Sequence, residues 1–232
     1  PLHRIRDYKF YISSLYTYKN YTFFIKERYN YFTMLTIREK NEESVIRDRS
    51  EFIGILVHVT STQDVENAIK VIKEEYPKAK HYCYAYRIGN RTKCSDDGEP
   101  SGTAGRPLLD VLEKRDLDEI LVVVVRYFGG ILLGASRLLS TYIEAATRVI
   151  DSSTLLSIEN RYIYKMTISY SEYETMKRLQ SRYGYTLENI QYDEQITLDL
   201  LSQSDNIEEL VNLFPKAGIE VMGTKQIYVK LY

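Results

Sequence analysis

The chain has 232 residues, of which 44% are hydrophobic and 27% are charged, as in an ordinary globular protein of one large domain or two small ones. Its longest apolar run, Ile120–Val125, is far shorter than the ~20 residues that a membrane-spanning helix needs. The net charge of −1 excludes a uniformly basic nucleic-acid-binding coat, so any phosphate contact requires a local patch of cations.

Cysteine content indicates the compartment. Cys83 and Cys94 are the only cysteines, too few for a disulfide framework. We therefore expect a protein of the reducing cytoplasm, with no membrane contact.

Residues 1–33 differ in composition from the rest of the chain. They contain seven tyrosines, carry a net charge of +4 and show no hydrophobic period. A secretory signal peptide is disfavoured, because the uncharged stretch 10–18 is rich in Tyr and Ser and no small-residue cleavage site follows it. We expect Met34 to be the natural start and this leader to lie outside the fold.

From Phe52 onward the hydrophobic pattern alternates between strands and helices. A β-branched run predicts a strand, and Ser61 with Asp64 predicts the capping box of the helix that follows it. Pro107 suits the first turn of a later helix. The predicted elements here are strand 52–59, a helix from Ser61, strand 81–88, a polar loop Gly89–Arg106, a helix opened by Pro107, strand Ile120–Tyr127 and a helix beginning near Gly134.

After the pattern lapses around 151–160, a second set of elements begins. Their order, βαββαβ, is that of the ferredoxin-like split unit. This order predicts architecture only, because the fold hosts many functions. The predicted elements are strand 162–170, helix 171–182, strands 185–192 and 195–201, helix 206–214 and strand 226–231.

The stretch Ser95–Pro107 is unlike packing sequence. Its three glycines and two prolines specify an irregular backbone. Amides freed by such a loop can point into one concavity and bind an anion, helped by the positive end of the helix that Pro107 opens. The candidate anion-binding residues here are Ser101, Gly102, Thr103 and Arg106.

A second stretch, Val125–Arg137, combines a strand end, a glycine turn and a helix start, a geometry that also suits an anion. It lacks the Gly-Lys-Ser/Thr ending of a nucleotide P-loop, so ATP is not assigned. Tyr127 and Phe128 could stack on a base or close a core. The candidate residues are Arg126, Tyr127, Gly129, Gly130 and Arg137, and we expect the two stretches to converge on one positive hollow.

Two interpretations stay open for the acidic residues Asp96, Asp97 and Glu99. Their carboxylates could hold a hard cation such as Mg²⁺. They could instead pair with Arg106, Arg126 or Arg137 and fix the loops against each other.

Zinc and cysteine catalysis are both disfavoured at His81, Cys83 and Cys94. A structural zinc site wants a fourth ligand, and none is near in sequence. Nothing marks an oxyanion hole for a cysteine nucleophile. No catalytic residue, metal ligand or cofactor is therefore assigned.

The segment Asp96–Gly105, followed by Arg126-Tyr-Phe-Gly-Gly130, resembles the signature of the YigZ/IMPACT family, and the resemblance runs from about Met34 to Tyr232. It implies an α+β fold in two domains. Residues 34–155 would form an N-terminal domain of the ribosomal-protein and ribonuclease PH type. Residues 156–232 would form a ferredoxin-like domain of the kind found at the end of elongation factor G.

The resemblance also carries a functional expectation. Eukaryotic IMPACT-type members are associated with regulation of translation initiation, and a ribosome or nucleic-acid role is inferred for the bacterial two-domain type. The chain departs from the family pattern at Leu132, at Ser136-Arg137 and at Ser140-Thr-Tyr142, which weakens or re-aims an anion cleft.

We therefore expect a non-enzymatic cytoplasmic binding protein, associated with translation regulation, that contacts RNA, the ribosome or a translation-related protein. In this interpretation a local glycine and arginine cleft binds RNA, ribosomal phosphate or another anion. One alternative is a protein-interaction adaptor that uses the acidic segment 151–232, of net charge −4. The other is a metal-assisted hydrolase that uses Asp96, Asp97 and Glu99.

Overall fold

The computed structural model describes residues 16–18, 21–23, 34–205 and 207–231. In its first compact unit, Pro1–Phe32, two short strands, β1 (Tyr16–Tyr18) and β2 (Tyr21–Phe23), pair antiparallel. The prediction that the leader 1–33 lies outside the fold falls mostly on residues that are outside the described ranges. None of the helices in the described ranges is long and apolar enough to span a bilayer.

The second unit, Thr33–Tyr232, contains two separate antiparallel sheets and five helices among its described residues. Its elements are β3 (Leu35–Thr36), β4 (Asn41–Arg47), β5 (Ser50–His58), α1 (Thr62–Glu75), β6 (His81–Ile88), β7 (Arg91–Ser95), α2 (Gly105–Lys114), β8 (Ile120–Tyr127), α3 (Ala135–Asp151), β9 (Leu156–Ile168), α4 (Tyr170–Tyr183), β10 (Thr186–Tyr192), β11 (Ile196–Ser202), α5 (Ile207–Leu213) and β12 (Gly218–Lys230).

The first sheet has the strand order β4-β5-β8-β6-β7, so β8 lies at its centre. The run Ile120–Val125 is 0% exposed, because successive side chains enter two different cores. One core lies against α2 and α3, and the other lies against α1. The predicted strand Ile120–Tyr127 is confirmed at both ends.

Two local devices position the helices on this sheet. Ser61 and Asp64 form the predicted capping box, in which the Asp64 amide donates to Ser61 Oγ at 3.1 Å and the Ser61 amide donates to Asp64 Oδ2 at 2.8 Å. Helix α3 packs so closely on β5 that a Cβ at Gly54 would lie 2.5 Å from the carbonyl oxygen of Ala145. This close packing carries the side chain of Tyr142 into the core above β5 and β6.

The second sheet has the strand order β10-β11-β9-β12, with all pairs antiparallel. This is the strand order of a ferredoxin-like βαββαβ unit, so the predicted α+β class is confirmed. Its core includes Tyr164, Met166, Leu198 and Phe214. Strand β3 pairs with the start of β9, at Leu156 and Ser157.

The structure differs from the predicted elements in several places, beginning with strands β3 and β4, which lie before the first predicted strand. Strand β7 lies inside the predicted loop Gly89–Arg106, and the two-residue Gly89-Asn90 turn that joins it to β6 is the signal that could have revealed it. Strand β9 begins six residues before the predicted start, because partner strands pair a segment whose side chains are mostly polar. Strand β12 begins at Gly218 instead of residue 226. The prediction missed its first part because a register irregularity between Val221 and Gly223 interrupts the alternation of side chains.

Candidate functional site

The first glycine-bearing stretch closes on one of its own carboxylates. Asp96 Oδ1 accepts hydrogen bonds from the amides of Ala104 and Gly105, at 2.9 and 2.8 Å, and Oδ2 accepts one from Gly102 at 2.9 Å. Burial acts to raise the pKa of Asp96, but these three amide bonds outweigh it and lower the pKa. Since Ala104 precedes the first residue of α2, the anion at this helix N-terminus is Asp96 itself.

The remainder of this stretch is equally compact. The amide and hydroxyl of Thr103 both donate to the carbonyl oxygen of Pro100, at 3.1 and 2.6 Å. Gly105 has no room for a side chain, because a Cβ there would lie 2.7 Å from the carbonyl carbon of Ser95. Of the predicted anion-binding residues in the stretch, Ser101, Gly102 and Arg106 are exposed to solvent and Thr103 is buried.

A buried ion pair connects the first stretch to the second. Glu99 Oε1 accepts hydrogen bonds from Arg126 Nη1 at 2.5 Å and from the Tyr142 hydroxyl at 2.9 Å. The arginine is only 5% exposed, and its guanidinium carbon lies 5.1 Å from the ring centre of Phe52 and 5.6 Å from that of Phe128. Its Nε is buried without a hydrogen-bond partner. The two glycine-bearing stretches are therefore in contact, and the contact is an ion pair in which Glu99 neutralises the charge of Arg126.

His81 and Cys83 surround the same pair. The Nδ1 of His81 lies 2.7 Å from the carbonyl oxygen of Asp97, so Nδ1 is the protonated donor, and Nε2 lies 3.9 Å from Glu99 Oε1. The Cys83 sulfur lies 3.0 Å from the carbonyl oxygen of Asp96. Burial raises the pKa of the Cys83 thiol to about 12, so the reactive thiolate is suppressed at neutral pH.

The three acidic side chains of the first stretch have separate partners. Asp96 accepts its amides, Asp97 Oδ2 accepts the Tyr82 amide at 2.7 Å, and Glu99 pairs with Arg126. Within the described ranges, no group of three or more His, Cys, Asp or Glu side chains could hold a metal ion. The structure thus favours the loop-fixing interpretation of Glu99 over a metal site in this loop.

Each of the three predicted cations has an acidic partner of its own. Arg106 Nη2 lies 2.7 Å from Asp110 and 3.3 Å from Glu113, both on its own helix α2. Arg137 Nη1 lies 2.9 Å from Asp48, in the turn between β4 and β5. Arg106, Arg126 and Arg137 therefore pair with different carboxylates.

The second glycine-bearing stretch is open where the first is closed. Phe128 and Leu132 are 42% and 87% exposed, whereas Tyr127 packs partly buried against the core on the α1 side. The Gly129 amide donates to Ser50 Oγ at 3.1 Å. A Cβ at Gly129 would lie 2.0 Å from the Arg49 carbonyl carbon, so only glycine fits there. Gly130 follows with a φ of 86° and open space around it.

Cations border the exposed ring of Phe128. The Lys80 amide donates to the Arg126 carbonyl oxygen at 3.0 Å, and the Lys80 ammonium lies 5.4 Å from the ring centre of Phe128. The sequence contains no acidic residue between Ile120 and Ile143. We call this region the Phe128 surface, and its members are Arg49, Lys80, Phe128, Ile131, Leu132 and Arg137.

Sequence reasoning missed Lys80, Arg49 and Tyr142 as members of the site. Lys80 and Arg49 reach it through strand pairing across the first sheet, and Tyr142 reaches it from α3. No local motif marks them, because their contacts with 95–137 depend on the register of distant strands.

Relatives of the chain share this region. Residues 48–150 match the family model of the Impact N-terminal domain. Over 170 residues the chain is 33% identical to the IMPACT family member YvyE of Bacillus subtilis, a match that covers 71% of this chain and 77% of the relative. The chain belongs to the IMPACT family. An IMPACT family member of Haemophilus influenzae is 38% identical over 143 residues, covering 58% of this chain and 68% of the relative.

A solved structure supports the arrangement of this IMPACT family chain. A crystal structure described as that of a hypothetical protein has 25% sequence identity and a TM-score of 0.55, and it covers 82% of this chain and 97% of the other. The predicted membership of the YigZ/IMPACT family is confirmed by the family model and by the two IMPACT family relatives. The Asp96 turn, the Glu99 and Arg126 pair, and the Phe128 surface all lie within residues 48–150.

Proposed function

We propose that this IMPACT family protein is a non-enzymatic cytoplasmic binding protein associated with translation regulation, and that the Phe128 surface contacts RNA or ribosomal phosphate. The association with translation follows from the family, whose eukaryotic members the resemblance connects with initiation. The observation that carries the RNA contact is an exposed aromatic loop, bordered by cations and free of acidic residues from 120 to 143.

The cations of this surface differ in their availability. Arg126 is buried and neutralised by Glu99, so it positions the loop and does not attract a ligand from solution. Arg137 is exposed but paired with Asp48. Arg49 and Lys80 are exposed, and no ion pair within the described ranges includes either of them. These two cations are therefore the best candidates for phosphate contacts.

Binding to RNA should be weak in high salt, because each neutralised phosphate releases counterions. We expect the affinity of the full chain for labelled single-stranded RNA, measured by fluorescence anisotropy, to fall with salt. Lys80→Ala and Arg49→Ala should each weaken binding and reduce the magnitude of the salt slope by about 1. Lys114→Ala, which removes an exposed cation from α2, is the matched control and should change neither. Affinity that ignores both salt and the first two substitutions would contradict the proposal.

A second candidate is a protein-interaction adaptor, favoured by strand β12. This strand pairs only with β9 among the described strands, and it exposes Val221 and Met222 beside its irregularity. An unpaired strand edge can accept a strand from a partner protein. If the adaptor is correct, co-sedimentation with ribosomes should survive Lys80→Ala and be lost with Val221→Lys and Met222→Lys. The opposite pattern would favour the Phe128 surface.

A further inference from the structure

We infer that the Phe128 surface recognises unpaired nucleotides, with a base of single-stranded RNA stacked on the ring of Phe128. This inference rests on the proposed function and adds the class of nucleic acid to it. It also separates two neighbouring aromatic residues, since Tyr127 closes the core on the α1 side while Phe128 faces solvent.

The exposed ring suits a base and its phosphate together. Phe128 is 42% exposed, although only two residues separate it from the fully buried run Ile120–Val125. A base can stack on the accessible part of the ring, since every base has a π-face. The Lys80 ammonium, 5.4 Å from the ring centre, is placed to meet the phosphate of a nucleotide stacked there.

The backbone on either side of this contact is also held in place by hydrogen bonds. Gly129, the chain neighbour of Phe128, is fixed to β5 by the bond to Ser50 Oγ and by its contact with the Arg49 backbone. The Lys80 amide donates to the carbonyl oxygen of Arg126, which fixes the backbone that carries the lysine side chain. A backbone that is already ordered loses less conformational entropy on binding than a mobile loop.

The contact selects single strands for a steric reason. In an A-form duplex the bases are stacked on one another, and their faces are not accessible to a side chain. Bases in single-stranded loops and ends can be splayed onto an aromatic ring. Leu132 of the same loop is 87% exposed and adds apolar surface that a bound single strand can cover.

The test compares one labelled RNA strand alone with the same strand annealed to its complement, using the full chain and fluorescence anisotropy. We expect tighter binding of the single strand. Phe128→Ala should lower affinity for the single strand roughly tenfold and leave affinity for the duplex unchanged. Phe128→Tyr keeps an aromatic face and should retain the wild-type preference.

Phe128→Leu keeps an apolar side chain beside Arg126 but removes the π-face. Its affinity for the single strand should therefore fall as much as that of Phe128→Ala. Because the apolar contact is kept, this variant separates a loss of stacking from a folding defect. Leu132→Ala is the control and should change single-strand affinity less than the alanine at Phe128. Equal binding of strand and duplex, with no effect of Phe128→Leu, would overturn the stacking inference. If Lys80→Ala still weakened binding in that case, the proposed function would survive. If neither RNA bound the chain, both proposals would be contradicted.

Discussion

Two glycine-bearing stretches that look alike in sequence have opposite structures in this protein. In 95–107 the loop amides bind the carboxylate of Asp96, so the concavity is filled by the chain itself. In 126–137 the loop exposes Phe128, Ile131 and Leu132 and carries no acidic residue. The comparison teaches that glycine spacing predicts a concave backbone, and that neighbouring side chains decide whether the concavity is open to a ligand.

The closed stretch also supports the open one. Glu99 reaches from the first stretch to Arg126 at the base of the second, and Tyr142 of α3 donates to the same oxygen. We therefore expect substitutions in the closed stretch to change stability, and substitutions in the open stretch to change binding.

Glu99→Ala should have the largest effect, since it leaves the buried charge of Arg126 without a partner. We expect the free energy of unfolding to fall by about 3–5 kcal/mol, measured by urea denaturation. Lys40→Ala is the control, because it breaks an exposed pair of 2.6 Å with Glu75 and should cost about 1 kcal/mol or less.

A double variant sharpens this test. Glu99→Leu combined with Arg126→Met replaces the buried pair by apolar side chains and should recover most of the lost stability. If Glu99→Ala cost no more than Lys40→Ala, the ion pair would not be what holds the two stretches together.

Asp96→Asn should have an intermediate and pH-dependent effect. The folded protein lowers the pKa of Asp96, so its carboxylate stabilises the fold above the unfolded value of about 4 and loses that contribution as pH falls through the folded value. We expect the variant to be less stable than wild type by about 1–3 kcal/mol at neutral pH, with the difference shrinking below pH of about 4. Urea midpoints measured from neutral to acidic pH report it.

The control for this prediction is Asp193→Asn, in the exposed turn between β10 and β11, which should change stability by no more than about 0.5 kcal/mol at any pH. A stability difference for Asp96→Asn that stayed constant from neutral to acidic pH would show that the ionised carboxylate is not what closes the first stretch.

Leu132→Ser should have the smallest effect on stability. This side chain is 87% exposed, so its replacement should change the free energy of unfolding by about 0.5 kcal/mol or less. The adjacent Leu133 is buried in the core, and Leu133→Ala should cost about 2 kcal/mol or more. Thermal or urea unfolding of the two variants measures the contrast, and equal losses would mean that the open loop is packed.

Much of the fold could be predicted because its signals are local. The six-residue apolar run of β8 and the Ser61 capping box each depend on residues that are close together in the chain, so the sequence predicts both correctly. Strand β7 was missed because it is a mostly polar edge strand without clear apolar alternation. The two glycine-bearing stretches were predicted to converge, but the pairing of Glu99 with Arg126 depends on how β8 aligns with β6.

The α+β class, the order of most helices and strands, and the family of this protein follow from the sequence, because hydrophobic period, capping residues and motif spacing act over a few neighbouring residues. It is the tertiary structure that makes Asp96 fill the first concavity, leaves Tyr127 partly buried and Phe128 exposed, and brings the Lys80 ammonium over the Phe128 ring. The physical reason is that burial and hydrogen-bond satisfaction depend on partners brought together by strand register and helix packing, which no local pattern records.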